Sequence, residues 1–333
     1  MNILVFDVPA ETGGALSVLN QYYNEATRRG FREDKWYFIV SVPQLSRTDN
    51  IEVLRFPWVK KSWAHRAFFD LVVAPRIVRE CDADEILSLQ NVVIPRTDVK
   101  QTLYLHQSLP FVDIRFGFVE NPRFWTYQNV IGRIIRRSLR KADQVIVQTN
   151  WMKDACVRKA GIEPDKVAVI PPSLDIRSME CFEFTDESKS TFFYPASGLV
   201  YKNHDTIINA AMLLCRNGMR DFRIIFTLRG DENKHIRTLY RKVQENRLPV
   251  EFIGAIPRET VFEYYTRSIL IFASYIETFG LPMLEARVHG TPVIASDCPF
   301  SHEILDGYEN ARFFVYNDHK RLAALMEESI CSR

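Results

Sequence analysis

Short apolar runs recur along this chain, with helical patterns between them. Runs without polar alternation predict strands buried on both faces, as in a parallel sheet covered by helices. In the first half they fall near Asn2–Phe6, Lys35–Ser41, Ile51–Arg55, Glu85–Leu89, Gln101–His106, Gln144–Val147 and Val167–Ile170. The pair Pro171–Pro172 breaks the pattern and an acidic, polar stretch follows, which predicts an interdomain linker over 173–190. Strands resume near Thr191–Tyr194, Phe222–Leu228, Val250–Ile253, Ile269–Ala273, Pro292–Ala295 and Ala311–Val315. The expectation is an α/β protein of two open parallel-sheet domains, 1–172 and 191–333. They would face one another across a cleft, with ligand at the strands' carboxyl ends.

Composition agrees with two domains, since 333 residues exceed what one core usually supports. Hydrophobic residues make up 47% and charged residues 25%, ordinary for a water-soluble protein, and no apolar run reaches bilayer length. Met1–Val8 has no basic flank and reads as a first strand rather than a leader. The six cysteines are scattered without C-x-x-C spacing and read as reduced thiols of a cytoplasmic protein. A net charge of +2 makes no case for nucleic acid. Asp82–Ala83–Asp84 precedes a strand and reads as a solvated turn. No cluster has metal-ligand spacing, so no metal or other cofactor is expected.

The chemistry concentrates in Ala273–Glu285, ASYIETFGLPMLE. A buried strand ends there, a turn forms around Gly280, and Pro282 opens a helix whose free amides favour an anion. Glu277 stands at the lip of the loop and Glu285 one turn into the helix. Such glutamates also complement a helix dipole with no ligand present. Two carboxylates would repel phosphate, yet each can accept from both hydroxyls of a diol. A ligand with sugar at both ends and phosphate between, a nucleotide-sugar, fits them. Lys202, in YPASGLVYKN, lies at a helix start capped by Asn203, where a cation opposes the dipole unless an anion intervenes.

E-T-F-G-L-P-x-x-E followed by A-x-x-x-G-T-P-V-I-A-S-D resembles the signature of the family 4 glycosyltransferases, the retaining group with the GT-B fold of two Rossmann-like domains. The resemblance covers most of the chain and is strongest over 190–315. It implies that Lys202 and the loop Thr278, Phe279, Gly280, Leu281 stabilise the donor diphosphate. It implies further that Glu277 and His106 hold the transferred sugar and that Glu285 grips the ribose. Gly13 and Gly14 match a glycine pair that lies against donor phosphates or acceptor. The family's donor-loop arginine is missing, because its place reads Ala196–Ser197–Gly198. Arg229 is the candidate to reach the same crevice, and base recognition is expected near Thr227–Arg229 and Gly254–Pro257, Ile256 included. The last helix of the family returns to the first domain; here the chain ends soon after Glu328, so that crossover is expected to be short or absent.

Two basic stretches point to the acceptor. Arg133, Arg136, Arg137, Arg140 and Lys141 follow helical steps, with no acidic residue from Phe124 to Ala142. Arg55–Phe69 interleaves Lys60, Lys61 and Arg66 with Trp58 and Trp63. A solvated helix face explains them as well as an anionic bilayer does. The bilayer reading suits a lipid-linked saccharide acceptor, with the protein peripheral to the membrane. An epimerase or phosphorylase with a similar cleft, and a silent sugar-nucleotide-binding subunit, are open alternatives. A nicotinamide dehydrogenase lacks its glycine fingerprint.

Overall fold

A computed structural model describes residues 1–11, 13–28, 34–172 and 180–332. The chain forms two compact units, residues 1–173 and 174–333. The first holds a seven-stranded sheet of β1 (Asn2–Asp7), β2 (Lys35–Val40), β3 (Ile51–Arg55), β4 (Glu85–Ser88), β5 (Lys100–Tyr104), β6 (Gln144–Val147) and β7 (Val167–Val169). The second holds six strands: β8 (Thr191–Tyr194), β9 (Arg223–Phe226), β10 (Val250–Phe252), β11 (Ile269–Phe272), β12 (Val293–Ser296) and β13 (Ala311–Phe314). Every pairing between these strands is parallel.

The strand orders are β3-β2-β1-β4-β5-β6-β7 and β10-β9-β8-β11-β12-β13. In each sheet the chain moves outward from a first strand, then returns to that strand's other side. The reversal places a switch point between β1 and β4 and another between β8 and β11, where connections leave in opposite directions and a crevice opens at the carboxyl ends. The central strands are buried on both faces, which is why they read as continuous apolar runs. In the first unit, Val5, Phe38 and Val40 pack with Val18 and Leu19 on one face, while Leu4, Phe6 and Ile39 pack with Phe69 and Ile77 on the other.

The turn at Asp82–Ala83–Asp84 is structural: the Asn2 amide donates to Asp84 Oδ2 at 2.7 Å and so fixes the start of β1. Of the stretch expected as linker, residues 173–179 lie outside the described residues. The rest is tied to the second unit, where the Phe182 amide donates to the His289 carbonyl and the Glu183 amide to that of Thr266. The helix Asp186–Ser190 follows, started by a reciprocal cap between Thr185 and Ser188. The last helix, His319–Cys331, packs against the helix His204–Arg216 of its own unit.

Candidate functional site

The switch point of the second unit gathers the two residues singled out most strongly. After β8 the chain runs through Pro195–Leu199 into a tight turn, Val200–Lys202, and then into the helix His204–Arg216. The loop after β11 is laced to that turn: the Tyr201 carbonyl accepts from the Tyr275 amide at 3.1 Å and from Ser274 Oγ at 3.3 Å. Tyr194, at the end of β8, donates its hydroxyl to the Lys202 carbonyl at 2.7 Å. So held, Lys202 Nζ forms an ion pair with Glu277 Oε1, and both side chains are less than one-fifth exposed. Asn203 does not cap the helix. Its backbone is left-handed, at φ 63°, and its amide donates to the carbonyls of Ala273 and Tyr316. Those two bonds tie the start of the helix to the segments after β11 and β13, while Asn203 Oδ1 accepts from Thr206 Oγ1 at 2.9 Å and from no helix amide.

Gly280, at φ 101°, turns the chain into the helix Leu281–Val288, with Pro282 in its first turn. A Cβ there would lie 2.6 Å from Met283 Cε. Phe279 is buried beneath the turn. Glu285 differs from expectation: its carboxyl does not stand open. Arg258 Nη2 donates to Oε1 at 2.9 Å and the buried Tyr265 hydroxyl to Oε2 at 3.1 Å. Burial pushes Glu285 above the usual carboxylate range, while Arg258 and the Tyr265 hydrogen bond pull it back. A carboxylate offers about four lone-pair sites, so two remain for other donors. Arg258 and Tyr265 carry no motif, and sequence reasoning missed both; only packing brings them to Glu285.

A pocket of about 230 Å³ opens at the carboxyl ends of β8, β9 and β10. Pro195, Ala196 and Ser197 line it after β8, Thr227 after β9, and Ala255, Ile256 and Val261 beyond β10. Ser197 of the donor loop and Ile256, named for the base, therefore line one pocket. Gly198 packs tightly, since a Cβ would lie 2.7 Å from Ile236 Cγ1. The Gly254 amide donates to the Leu228 carbonyl at 2.9 Å, which aligns the two loops. Arg229 is exposed, and its guanidinium pairs with Asp231 at 3.3 Å.

In the first unit, His106 follows β5 and its ring stacks on Tyr104, centroids 4.5 Å apart. Burial pushes its pKa down to about 4, against a hydrogen bond to the Leu89 carbonyl. Nε2 is buried and unpartnered. The nitrogen that meets Leu89 is therefore Nδ1, and the neutral ring presents Nε2 as an acceptor. Gly13, at φ 66°, and Gly14 begin the helix Gly13–Arg28 and are exposed.

Several residues of the two basic stretches are engaged within the first unit. Trp58 is half-buried among Phe56, Phe68 and Phe69. Lys60 Nζ is engaged by the Pro9 carbonyl and Glu11. Arg136 donates to the Pro110 carbonyl and Arg140 to that of Ala160. Lys61, Trp63, Arg133 and Arg137 stay exposed. A wide π turn at Tyr127–Ile131 precedes the helix Gly132–Lys141, a break that helical spacing does not reveal.

Comparison with known proteins agrees with this architecture. Residues 12–178 match the family model described as Glycosyltransferase Family 4, and residues 181–332 that of Glycosyl transferases group 1. The O-antigen chain mannosyltransferase RfbU of Salmonella typhimurium is 24% identical over 86% of this chain and 74% of its own length. A D-inositol 3-phosphate glycosyltransferase of Corynebacterium diphtheriae is 28% identical over 46% of this chain and 40% of its own length. Against several curated relatives the chain spans from 40% to 58% of their length. Among solved structures, sucrose-phosphate synthase from Thermosynechococcus elongatus superposes with a TM-score of 0.75 at 16% identity, covering 98% of this chain and 89% of that one. HepE of Anabaena, solved with UDP and glucose, gives 0.70 at 16% identity over 100% and 90%. These structural likenesses show the fold, which is GT-B. With one family model matching half of the chain and the second nearly all of the rest, the chain belongs to glycosyltransferase family 4.

Proposed function

We propose that the chain transfers a hexose-type sugar from a nucleoside diphosphate sugar to a hydroxyl of a glycan, with retention of configuration and without a metal. The Lys202–Glu277 pair at the β8–β11 switch point, in the same unit as the pocket of Ser197 and Ile256, is the observation that carries this reading. The base would occupy that pocket. As the diphosphate arrives, Lys202 exchanges Glu277 for phosphate oxygens, and the freed carboxylate takes hydroxyls of the sugar. The amides of the 278–281 loop share the charge that builds as the anomeric bond lengthens. Glu285 keeps two lone-pair sites for the ribose, and Arg258, held against it, replaces the absent donor-loop arginine. Retention rests on the family resemblance. The acceptor in this reading is lipid-linked, which would bring the protein to an anionic membrane face.

Removing Lys202 takes away a charge that acts mainly in the transition state. Lys202→Ala should therefore lower kcat about 100-fold or more while donor affinity changes less. Glu285→Ala should mainly weaken donor binding. Calorimetry with uridine, guanosine and thymidine diphosphate sugars, followed by single-turnover assays, reads both. A folded Lys202→Ala protein with near-full turnover would refute the leaving-group role. The missing arginine favours one second reading, a donor-binding subunit without turnover. Slow hydrolysis of donor by the purified chain excludes it.

A further inference from the structure

The helix Arg258–Arg267 holds Glu285 from one side. Arg258 and Tyr265 lie about two turns apart on it, so they share a face, and each meets one oxygen of the Glu285 carboxylate. The two partners differ in freedom. The Arg258 side chain is about half exposed, its guanidinium 5.2 Å from the Phe262 ring centroid, and open solvent lets it swing away. Tyr265 is wholly buried, its ring set among Phe193, Phe262 and His289 and its carbonyl accepting from Thr291 Oγ1 at 2.6 Å. A buried phenol hydroxyl needs a partner, and Glu285 Oε2 supplies it here. Burial, with the charge of Glu285, holds the hydroxyl well above the usual tyrosine range, so it stays a donor.

We propose that Tyr265 is a positioning residue for donor binding, which keeps Glu285 ionised and aimed at the ribose while Arg258 is drawn to the diphosphate. The proposal rests on the glycosyl-transfer reading above, in which Glu285 and Arg258 both meet the donor. When the arginine leaves, Oε1 becomes free for ribose hydroxyls, but the carboxylate loses its counter-charge in a buried place. Burial already pushes Glu285 above the usual carboxylate range, and a protonated carboxyl accepts fewer hydrogen bonds. The Tyr265 hydroxyl is uncharged and packed, so it does not follow the phosphate and its bond to Oε2 persists. Few other titratable groups surround Glu285. On its own helix, His289 Nδ1 donates to the Glu285 carbonyl at 2.7 Å. The adjoining strands β11 and β12 bring only uncharged side chains. The helix Pro299–Ile304 carries Glu303 and His302, the latter engaged by Asp297. Loss of the Tyr265 hydroxyl is therefore a loss that no neighbouring cation makes good.

The test measures binding of uridine, guanosine and thymidine diphosphate sugars to the full chain by calorimetry, from about pH 5 to 8. Tyr265→Phe keeps the ring and its packing. It should weaken donor binding about tenfold near neutrality and raise KM more than it lowers kcat. It should also move upward the pH at which binding fails on acidification. The sign follows from the carboxylate: without the hydroxyl, Glu285 takes up its proton at a higher pH, and the ionised form is the one that binds. Tyr265→difluorotyrosine, a stronger donor of nearly the same size, should move that pH downward. In a Glu285→Ala chain, Tyr265→Phe should change donor affinity no further, because the hydroxyl acts through that carboxylate. An unmoved pH profile in folded Tyr265→Phe protein, or the same loss in the Glu285→Ala background, overturns the role of Tyr265 alone. Should Tyr265→Phe fail to fold, the difluorotyrosine chain decides, and an unmoved profile there overturns the role equally. A wild-type chain that binds no donor, or a Glu285→Ala chain that binds as the wild type does, refutes the underlying transferase reading and the role of Tyr265 with it.

Discussion

At the scale of single residues, burial decides which groups are charged. His204 opens the helix after Lys202 with both ring nitrogens unpartnered, packed against Tyr194 and Phe226. Burial, helped by His235 and Lys202, pushes its pKa down to about 3. The folded state thus holds this ring neutral, while the unfolded chain takes up a proton near pH 6.5. Stability from this residue is complete above that pH and is lost as pH falls from about 6.5 towards 3. His106 adds a loss of the same sign. Urea unfolding should show stability dropping by of order 1 kcal/mol per pH unit for His204 between pH 6 and 4. His204→Leu should flatten that slope, and an equal slope in the variant would mean that the ring is not held neutral. His106 is legible as a candidate from its place at a strand end. Asp7 is equally visible, as an acid closing an apolar strand, but only the fold shows that it is wholly buried.

At the scale of elements, the sheets are legible in the sequence and the departures from regular helix are not. All thirteen strands of the described residues stand where apolar runs predict them, with ends shifted by a residue or two. The reason is physical: a strand between two helical layers must be apolar on both faces, and that demand leaves a continuous mark. Two π turns, Phe69–Val73 and Tyr127–Ile131, leave no such mark, because each costs one extra residue within an otherwise helical composition. Between β11 and the helix Leu281–Val288, Gly280 carries the backbone that both neighbours require. At φ 101° a side chain is strained whatever the space, and here Met283 Cε would also have to move. Gly280→Ala should cost about 1–2 kcal/mol or more, seen as a lower urea midpoint with an unchanged slope. It should also weaken donor binding, since Glu277 and Glu285 flank that turn. A neutral substitution would show that the turn reshapes freely.

At the scale of the whole molecule, the exposed apolar surface and the basic residues share the first unit. Trp63 is 67% exposed and Phe68 55%; Leu71 and Val72 follow about a turn further on. The Trp63 ring meets Tyr127 edge-on at 6.2 Å, which joins this ridge to the helical segment bearing the exposed Val130 and Ile134. Lys61, Arg133 and Arg137 lie on the same two segments. None of the helices among the described residues is long and apolar enough to cross a bilayer. On the membrane-docking reading proposed above, each basic residue adds about 1 kcal/mol near anionic lipid. The protein should sediment with vesicles containing phosphatidylglycerol more than with pure phosphatidylcholine, and less as salt rises. Trp63→Ser with Phe68→Ser should weaken binding, and Arg133→Glu with Arg137→Glu should abolish the preference for anionic lipid. No binding at low salt would dismiss the membrane role.

Sequence by itself determined the two sheets, their strands and the Glu277–Glu285 turn. Each of those depends on local apolar runs, glycine angles and proline placement, which are written in consecutive residues. Tertiary structure alone decided that Lys202 finds Glu277, that Glu285 is already held by Arg258 and Tyr265, and that Asp7 and His204 are wholly buried. Hydrogen-bond partnership and desolvation depend on which distant segments arrive at one strand edge, and parallel crossovers bring them there from far along the chain.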